Sequence, residues 1–230
     1  MKRFWKNVDV EREGEGWSIR LDERPVKTPA RVPLAAPNEA LAEAIAEEWR
    51  AVEDKIDPRA MPLTGFANAA IDRVLPDRRA FADDIAKYAE ADLACYRAEG
   101  PRALVACQEE QWDKLLAWAR RRFDVDFTIT TGLMHVDQPA ATVERLAHAV
   151  SALDAFRLAA FQPLVTIGGS LVTALAVLEK AISPEEAWDA VSVDDRWQIE
   201  QWGADAEAEA ALENRRRDFL AAARFLDLLD

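Results

Sequence analysis

The hydrophobic pattern of this chain changes its period near Asn38, and that change constrains the fold more than any other feature of the sequence. Before it, Trp17, Ile19 and Leu21 alternate with polar residues, a period of two that is typical of a half-buried β-strand. After it, large apolar residues recur at steps of three and four, the period of an amphipathic α-helix. The pattern therefore predicts an α+β protein with strands at its beginning and helices over the rest.

The first 36 residues predict a small antiparallel sheet. The turn sequence Glu13-Gly14-Glu15-Gly16 precedes the alternating strand, and Val8 and Val10 supply apolar positions for a partner strand. Four prolines then divide the chain into short extended pieces, because proline is excluded from helix interiors. They are Pro25, Pro29, Pro33 and Pro37.

Helical patterns fill most of the chain after Asn38, which is itself a favourable N-cap residue. Ser183-Pro184-Glu185-Glu186 joins an N-cap serine to a proline at the first helical position and a glutamate three residues later, so it predicts a helix start at this point. We place a strand-rich N-terminal domain with one helix at residues 1–60 and a helical bundle domain at residues 61–230. The other helical patterns span residues 63–75, 77–96, 102–123, 138–160, 164–181, 193–202 and 206–228, and an extended piece spans residues 127–131.

Residues 158–178 carry no charge, which raises the question of a membrane span. Polar and glycine residues dilute the stretch, however, and a central core helix explains it better. Gly168 and Gly169 would then permit a close crossing of two helices. We therefore expect no membrane insertion.

Charge and cysteine content exclude further classes of protein. The net charge of −13 argues against a nucleic-acid partner, because phosphate contacts need a basic surface. Cys95 and Cys107 do not have the spacing of a zinc site, and we expect both to be reduced thiols. The chain begins without a signal-peptide pattern, and its arginine-rich and alanine-rich composition is typical of a bacterium, so we expect a bacterial cytoplasmic protein.

The motifs of enzymatic chemistry are missing from the sequence. His135 and His148 are its two histidines, and neither a phosphate-binding glycine loop nor a nucleophile elbow is present. We therefore expect no catalytic residue, no metal and no cofactor. Carboxylate pairs such as Glu47/Glu48 and Asp83/Asp84 leave an acid–base hydrolase open as an alternative, because such sites have no strict motif. A scaffold for a different protein partner is the other alternative.

The segment from Val193 to Gly203 has the composition of a protein-binding surface. It contains two tryptophans and three carboxylates, and aromatic residues carry much of the binding energy of protein interfaces. The alternative is that both rings lie in the core and the acids face solvent. Ser192 with Asp195 three residues later predicts a capping box at the start of this helix. By their spacing, one helix face carries Asp194, Gln198, Gln201 and Trp202, and another carries Trp197 and Glu200.

A series of motifs between residues 3 and 203 resembles the assembly chaperones for the alpha subunit of F-type ATP synthase. They occur in the same order as in that family and include several uncommon residue combinations. The matching motifs are Arg3-Phe4-Trp5-Lys6, Leu21-Asp22-Glu23-Arg24-Pro25-Val26-Lys27-Thr28-Pro29, Ile45-Ala46-Glu47-Glu48-Trp49, Met61-Pro62-Leu63-Thr64, Ala70-Ile71-Asp72-Arg73, Tyr88 with Asp92-Leu93, Cys95-Tyr96-Arg97 and Gln198-Ile199-Glu200-Gln201-Trp202-Gly203.

The resemblance implies a mixed N-terminal domain followed by a helical orthogonal bundle. It also implies that the protein is a chaperone and not an enzyme. Such a chaperone binds the unassembled alpha subunit, shields the surface that later meets the beta subunit, and leaves as the catalytic hexamer forms. We expect the free protein to be a monomer in the bacterial cytoplasm, or in the mitochondrial matrix if the chain is a mature eukaryotic form.

The resemblance also covers the tryptophan segment, where acidic residues precede the Gln-x-x-x-Trp-Gly pattern. We expect Asp194, Asp195 and Glu200 to meet basic groups on the alpha subunit, and Trp202 to anchor the contact. Arg196 departs from the all-acidic run of the family at this place.

Overall fold

The computed structural model describes residues 2–203 and 205–230 and confirms an α+β fold. Its longest strands are β1 (Val8–Glu13) and β2 (Gly16–Leu21), which pair antiparallel with Val10 opposite Ile19, as the valine pattern predicts. Two short strands, β3 (Arg24–Pro25) and β4 (Ala35–Ala36), also pair antiparallel with β2. The described part of the chain after β4 is mainly helical.

Helix α1 (Glu39–Ala51) packs on this sheet. Asn38 caps the helix, since its side-chain oxygen accepts a hydrogen bond of 2.9 Å from the backbone N–H of Leu41. Leu41 and Ile45 are fully buried, and α1 contacts both β1 and β2. The apolar stripe that predicts this helix is therefore the stripe that covers the sheet.

The remaining α-helices lie where the sequence patterns predict helices, but several of them differ from the predicted lengths. Within the described residues they are α2 (Pro62–Ala69), α3 (Arg78–Ala86), α4 (Arg102–Phe123), α5 (Ala140–Ser151), α6 (Ala155–Gly168), α7 (Leu171–Leu178), α8 (Pro184–Val191), α9 (Val193–Trp202) and α10 (Ala206–Asp227). Two further strands, β5 (Tyr96–Arg97) and β6 (Thr130–Thr131), pair in parallel.

The stretch predicted as one helix over residues 138–160 forms α5 and the first part of α6. The helix predicted over residues 164–181 is divided between the end of α6 and α7. Asp154 starts α6, because its carboxylate accepts a hydrogen bond of 2.9 Å from the N–H of Arg157. The helix then continues through Pro163 and ends at Gly168. Gly169 has a φ of +66°, a conformation that favours glycine and ends the helix, and Ser170 caps α7.

Gly168 permits the close crossing of helices that is predicted for the uncharged stretch. A Cβ atom at this position would lie 3.0 Å from the Cγ1 atom of Val191 on α8 and 3.5 Å from the ring of Phe219 on α10. The uncharged stretch is therefore part of a packed helical core. No helix in residues 2–203 and 205–230 has the length and hydropathy needed to cross a membrane.

The chain forms two compact units. Unit 1 comprises the chain up to residue 78 together with residues 154–160 and 224–230, and unit 2 comprises residues 79–153 and 161–223. A compact unit need not fold independently, so the domains placed at residues 1–60 and 61–230 stay a prediction.

Candidate partner-binding groove

A groove with a volume of about 970 Å³ opens on unit 2. Its lining comes from the turn around β5, the first turns of α4, the loop after β6, and α9. Large apolar side chains dominate this lining; among them are Leu93, Leu104, Leu133, Met134, Trp197 and Trp202.

One wall of the groove is a loop whose base is held by side chains. The Thr142 hydroxyl donates a hydrogen bond of 2.6 Å to the carbonyl of Asp126. The amide of Gln138 bonds Thr128 in both directions, accepting from its N–H at 3.0 Å and donating to its carbonyl at 2.9 Å. These bonds take the place of a longer strand, so the piece predicted as extended over residues 127–131 forms strand pairing only at β6.

The tip of this loop presents two apolar side chains to solvent. Leu133 is 99% exposed and Met134 is 79% exposed. The loop is fixed just before them, because the N–H of Gly132 donates a hydrogen bond of 2.9 Å to the carbonyl of Arg97. Scattered exposed apolar residues are common, but two at the rim of an apolar groove make this groove the candidate for an interaction surface.

The floor of the groove contains two polar side chains that are committed to internal partners. Arg97 is buried, forms an ion pair of 2.6 Å with Asp113, and lies over the ring of Trp112. Gln108 is also buried; its oxygen accepts from the N–H of Ala98 at 2.8 Å, and its nitrogen donates to Asp194 at 2.7 Å. Gln108 therefore connects α4 with α9.

Helix α9 forms the opposite wall and is braced at its first turn. Asp194 accepts the bond from Gln108, Asp195 forms an ion pair of 2.9 Å with Arg215 on α10, and Arg196 pairs with Asp189 on α8 at 3.1 Å. The predicted capping box at this start is wrong. The hydroxyl of Ser192 instead donates to the carbonyl of Trp188 at 2.7 Å, because Ser192 still belongs to the last turn of α8.

The four residues proposed for partner binding thus have different environments. Asp194 and Trp202 line the groove, whereas Asp195 and Glu200 do not. Trp202 is 77% exposed. Glu200 is exposed and forms no ion pair with any residue in the described parts of the chain. Two of the three carboxylates are therefore already used to hold α9 in place, and Glu200 is free to meet a partner.

Trp197 lies in the same groove as Asp194 and Trp202, contrary to the faces assigned from spacing. The step of three residues from Asp194 to Trp197 places both on one side of a helix, and the ring is large enough to reach the groove. The sequence patterns did not identify Leu133 and Met134 as functional residues. Their only signal in the sequence is that two large apolar residues follow Gly132 in a segment without helical or strand periodicity.

Three carboxylates of the pairs named from the sequence have structural partners within their own unit. Glu48 caps α2, accepting at 2.8 Å from the N–H groups of Leu63 and Thr64, while Asp83 and Asp84 are exposed and pair with basic residues of their own segment. Burial raises the pKa of Glu48 and of Asp92, yet neither carboxylate lines the groove. Among the described residues, no group of three or more histidine, cysteine, aspartate or glutamate side chains is arranged to hold a metal ion.

The acidic charge of the protein is concentrated in the unit that carries the groove. Unit 2 has 24 acidic and 14 basic residues, a net charge of −10, whereas unit 1 has 18 and 15, a net charge of −3. The groove thus opens on a negatively charged body, which attracts basic partners over distances up to the Debye length.

Comparisons with known proteins agree on one family. Residues 2–120 match the family model described as ATP12 chaperone protein. Protein atp12, mitochondrial, of Schizosaccharomyces pombe is 24% identical over 215 residues, covering 88% of this chain and 74% of that protein.

Solved structures are similar over the whole chain. There are two solved structures of Atp12 from Paracoccus denitrificans, and in one of them an aspartate is replaced by lysine. Each is 43% identical to this chain with a TM-score of 0.94, and each match covers 100% of this chain and 98% of that one. The Atu1473 protein of Agrobacterium tumefaciens is 38% identical with a TM-score of 0.95, covering 100% of this chain and 86% of that one. The family match over more than half of the sequence, together with these structures, shows that this chain belongs to the ATP12 chaperone family, which acts in ATP synthase assembly.

Proposed function

We propose that this protein binds the unassembled alpha subunit of F-type ATP synthase, shields its subunit interface and promotes assembly of the catalytic hexamer. The observation that carries this proposal is the apolar groove of unit 2, with Leu133, Met134 and Trp202 exposed at its rim. Family membership supports it, because the resemblance in the sequence is to chaperones of that subunit.

A groove of this kind meets the physical need of such a chaperone. A subunit that has not yet met its partner exposes large apolar patches, and these drive aggregation. An apolar groove with an aromatic anchor covers part of such a patch. The cover must also be reversible, so the interface should be adequate in area without being obligate. Release then follows from competition by the beta subunit.

We assign the contact to the four residues named from the sequence, with roles that the structure refines. Trp202 is the anchor, because an exposed ring becomes desolvated when a partner covers it. Glu200 meets a basic group of the alpha subunit directly. Asp194 and Asp195 add negative charge near that group, and their bonds to Gln108 and Arg215 keep α9 in position.

Co-expression with the alpha subunit tests the proposal. We expect alpha to remain soluble with the wild-type chaperone, and to aggregate without it or with a variant that combines Leu133→Ser, Met134→Ser and Trp202→Ser. Adding the beta subunit should release alpha from the chaperone into a complex with beta. If alpha is equally insoluble with and without the wild-type protein, the proposal is wrong, and a scaffold for another partner becomes the better account.

The relatives come from two settings, because one is the protein of a bacterium and another is mitochondrial. We propose that this chain acts as a monomer in the bacterial cytoplasm, or in the matrix if it is a mature mitochondrial form. Size-exclusion chromatography with light scattering checks the oligomeric state, and a stable dimer would contradict this part of the proposal.

A further inference from the structure

We infer that the groove recognises a segment of its partner that combines large apolar side chains with basic ones. The inference rests on the proposed function insofar as the natural source of the segment is the alpha subunit. It goes further by fixing the chemistry of the segment that binds, and that chemistry follows from three features of the groove.

The first feature is the size and polarity of the groove. Its volume of about 970 Å³ lies at the upper end of the range of about 300–1,000 Å³ for small-molecule pockets. The side chains of Leu104, Trp197 and Trp202 line it and offer no charge. A wholly polar segment would lose hydration against these side chains and gain few hydrogen bonds in return, so the occupant must bring several apolar side chains.

The second feature is the sign of the charges at the groove. Its charged lining residues are Arg97, Glu99 and Asp194. The guanidinium of Arg97 is 6% exposed and is paired with Asp113, so it is not available to a ligand. Glu99 remains exposed at the groove, whereas Glu200 lies outside the lining, two residues before Trp202 on α9. The charges that a ligand meets are therefore acidic, and they select lysine or arginine beside the apolar residues.

The third feature is that both walls are braced before any partner binds. Gln138 and Thr142 hold the base of the loop, and Gln108 holds the start of α9. Binding to a preformed groove costs little ordering of the protein, so a short segment can bind without the rest of its parent protein. The inference can therefore be tested with peptides.

The test uses three short synthetic peptides of equal length and the full-length chaperone. One alternates leucine and arginine, one alternates leucine and glutamate, and one alternates serine and arginine. Binding is measured by tryptophan fluorescence and by calorimetry. We expect the leucine–arginine peptide to bind at least tenfold more tightly than either of the others, and its Kd to rise with salt concentration. Equal binding of the leucine–glutamate peptide, or of the serine–arginine peptide, overturns the inference.

Matched variants show whether the peptide occupies the groove. Trp202→Ala and Glu99→Lys, both at exposed residues of the groove lining, should each weaken the leucine–arginine peptide at least fivefold. Phe4→Ala, at an aromatic residue of unit 1 that is 58% exposed, and Glu110→Lys, at an exposed acid of α4 outside the groove lining, should leave its Kd unchanged. If all four variants bind this peptide alike, the peptide does not occupy the groove and the inference is wrong.

The alpha subunit provides a separate readout with the same proteins. If alpha binds the wild-type chaperone but the three peptides bind it with equal affinity, the chemistry inferred for the groove is wrong while the proposed function stands. If the leucine–arginine peptide binds the groove and alpha does not bind at all, the proposed function is wrong and the inferred chemistry stands.

Discussion

Several acidic residues of the family motifs act as acceptors for backbone N–H groups within the fold. Asp22 accepts from the N–H groups of Lys6 and Asn7, at distances between 2.9 and 3.1 Å. Asp72 accepts from the hydroxyl of Thr28 at 2.6 Å and from the N–H of Ala30 at 2.9 Å. The sequence shows these acids as motif members but not their roles, because their partners lie many residues away and local periodicity carries no information about them.

Asp92 is a buried acceptor of the same kind, and its loss should destabilise the fold. It is fully buried and accepts hydrogen bonds of 2.9 Å from the N–H groups of Ala94 and Val172. Asp92→Ala leaves these donors buried without an acceptor, so we expect a loss of about 3 kcal/mol in the free energy of unfolding, measured in urea. Asp83→Ala, at an exposed residue, should cost less than about 0.5 kcal/mol. Equal losses for the two variants would show that the buried bonds do not stabilise the fold.

Asp22 gives a prediction about pH. Hydrogen bonds from the backbone of Asn7 and then of Lys6 lower the pKa of Asp22 below its ordinary value of 3.8. A carboxylate with a lowered pKa contributes stability that is present above the unfolded pKa and is lost as the pH falls through the folded pKa. Wild type should therefore melt at a higher temperature than Asp22→Asn at neutral pH. The difference should shrink as the pH falls below 3.8, whereas a difference that does not change with pH would contradict this role.

The secondary-structure elements follow the sequence closely wherever local signals decide them. The cap of α1 at Asn38 and the capping box formed by Ser183 and Glu186 at α8 are confirmed, because both need only neighbouring residues. The predicted end of α5 and the predicted cap of α9 were wrong. At α9 the hydroxyl of Ser192 bonds the carbonyl of Trp188, four residues earlier in α8, in place of the cap. Asp195 pairs with Arg215 on α10, and local spacing contains no sign of that remote partner.

Helix α10 is unevenly packed along its length. Its first half, from Ala206 to Asp218, has no buried side chain, whereas Phe219 and Phe225 in its second half are fully buried. A helical segment without buried side chains opens at a low cost in free energy. We expect backbone amides of residues 208–213, before the ion pair of Arg215 with Asp195, to exchange hydrogen much faster than those of residues 220–227, as measured by mass spectrometry. Equal protection along the helix would mean that something packs against the first half.

The groove brings together segments that are remote in sequence. The sequence predicts one wall, because the tryptophans and acids of α9 are adjacent. It does not predict the other wall or the floor, since Gln108, Leu133 and Met134 come together only through the packing of α4 and the loop after β6. The resemblance to a family predicts a chaperone of ATP synthase assembly, but it does not predict this geometry.

The structure also changes which substitutions are informative. Asp194→Lys would break the hydrogen bond from Gln108, and its effect on binding would combine a lost contact with a displaced helix. Glu200 and Trp202 are exposed, and Glu200 has no ion pair in residues 2–203 and 205–230, so changes there leave the fold intact. Circular dichroism and melting temperature confirm folding for each variant.

The central claim is that the groove of unit 2 binds the alpha subunit. The most direct test is to measure the affinity of the purified alpha subunit for variants at Glu200 and Trp202. Trp202→Ala removes the anchor and should cost about 2 kcal/mol or more of binding free energy, a loss of about 30-fold in affinity. Glu200→Lys reverses a charge that meets a basic group and should weaken binding about tenfold. The controls Phe4→Ala and Glu110→Lys should bind like wild type. If Trp202→Ala and Glu200→Lys fold normally and also bind like wild type, the alpha subunit binds elsewhere on the chaperone.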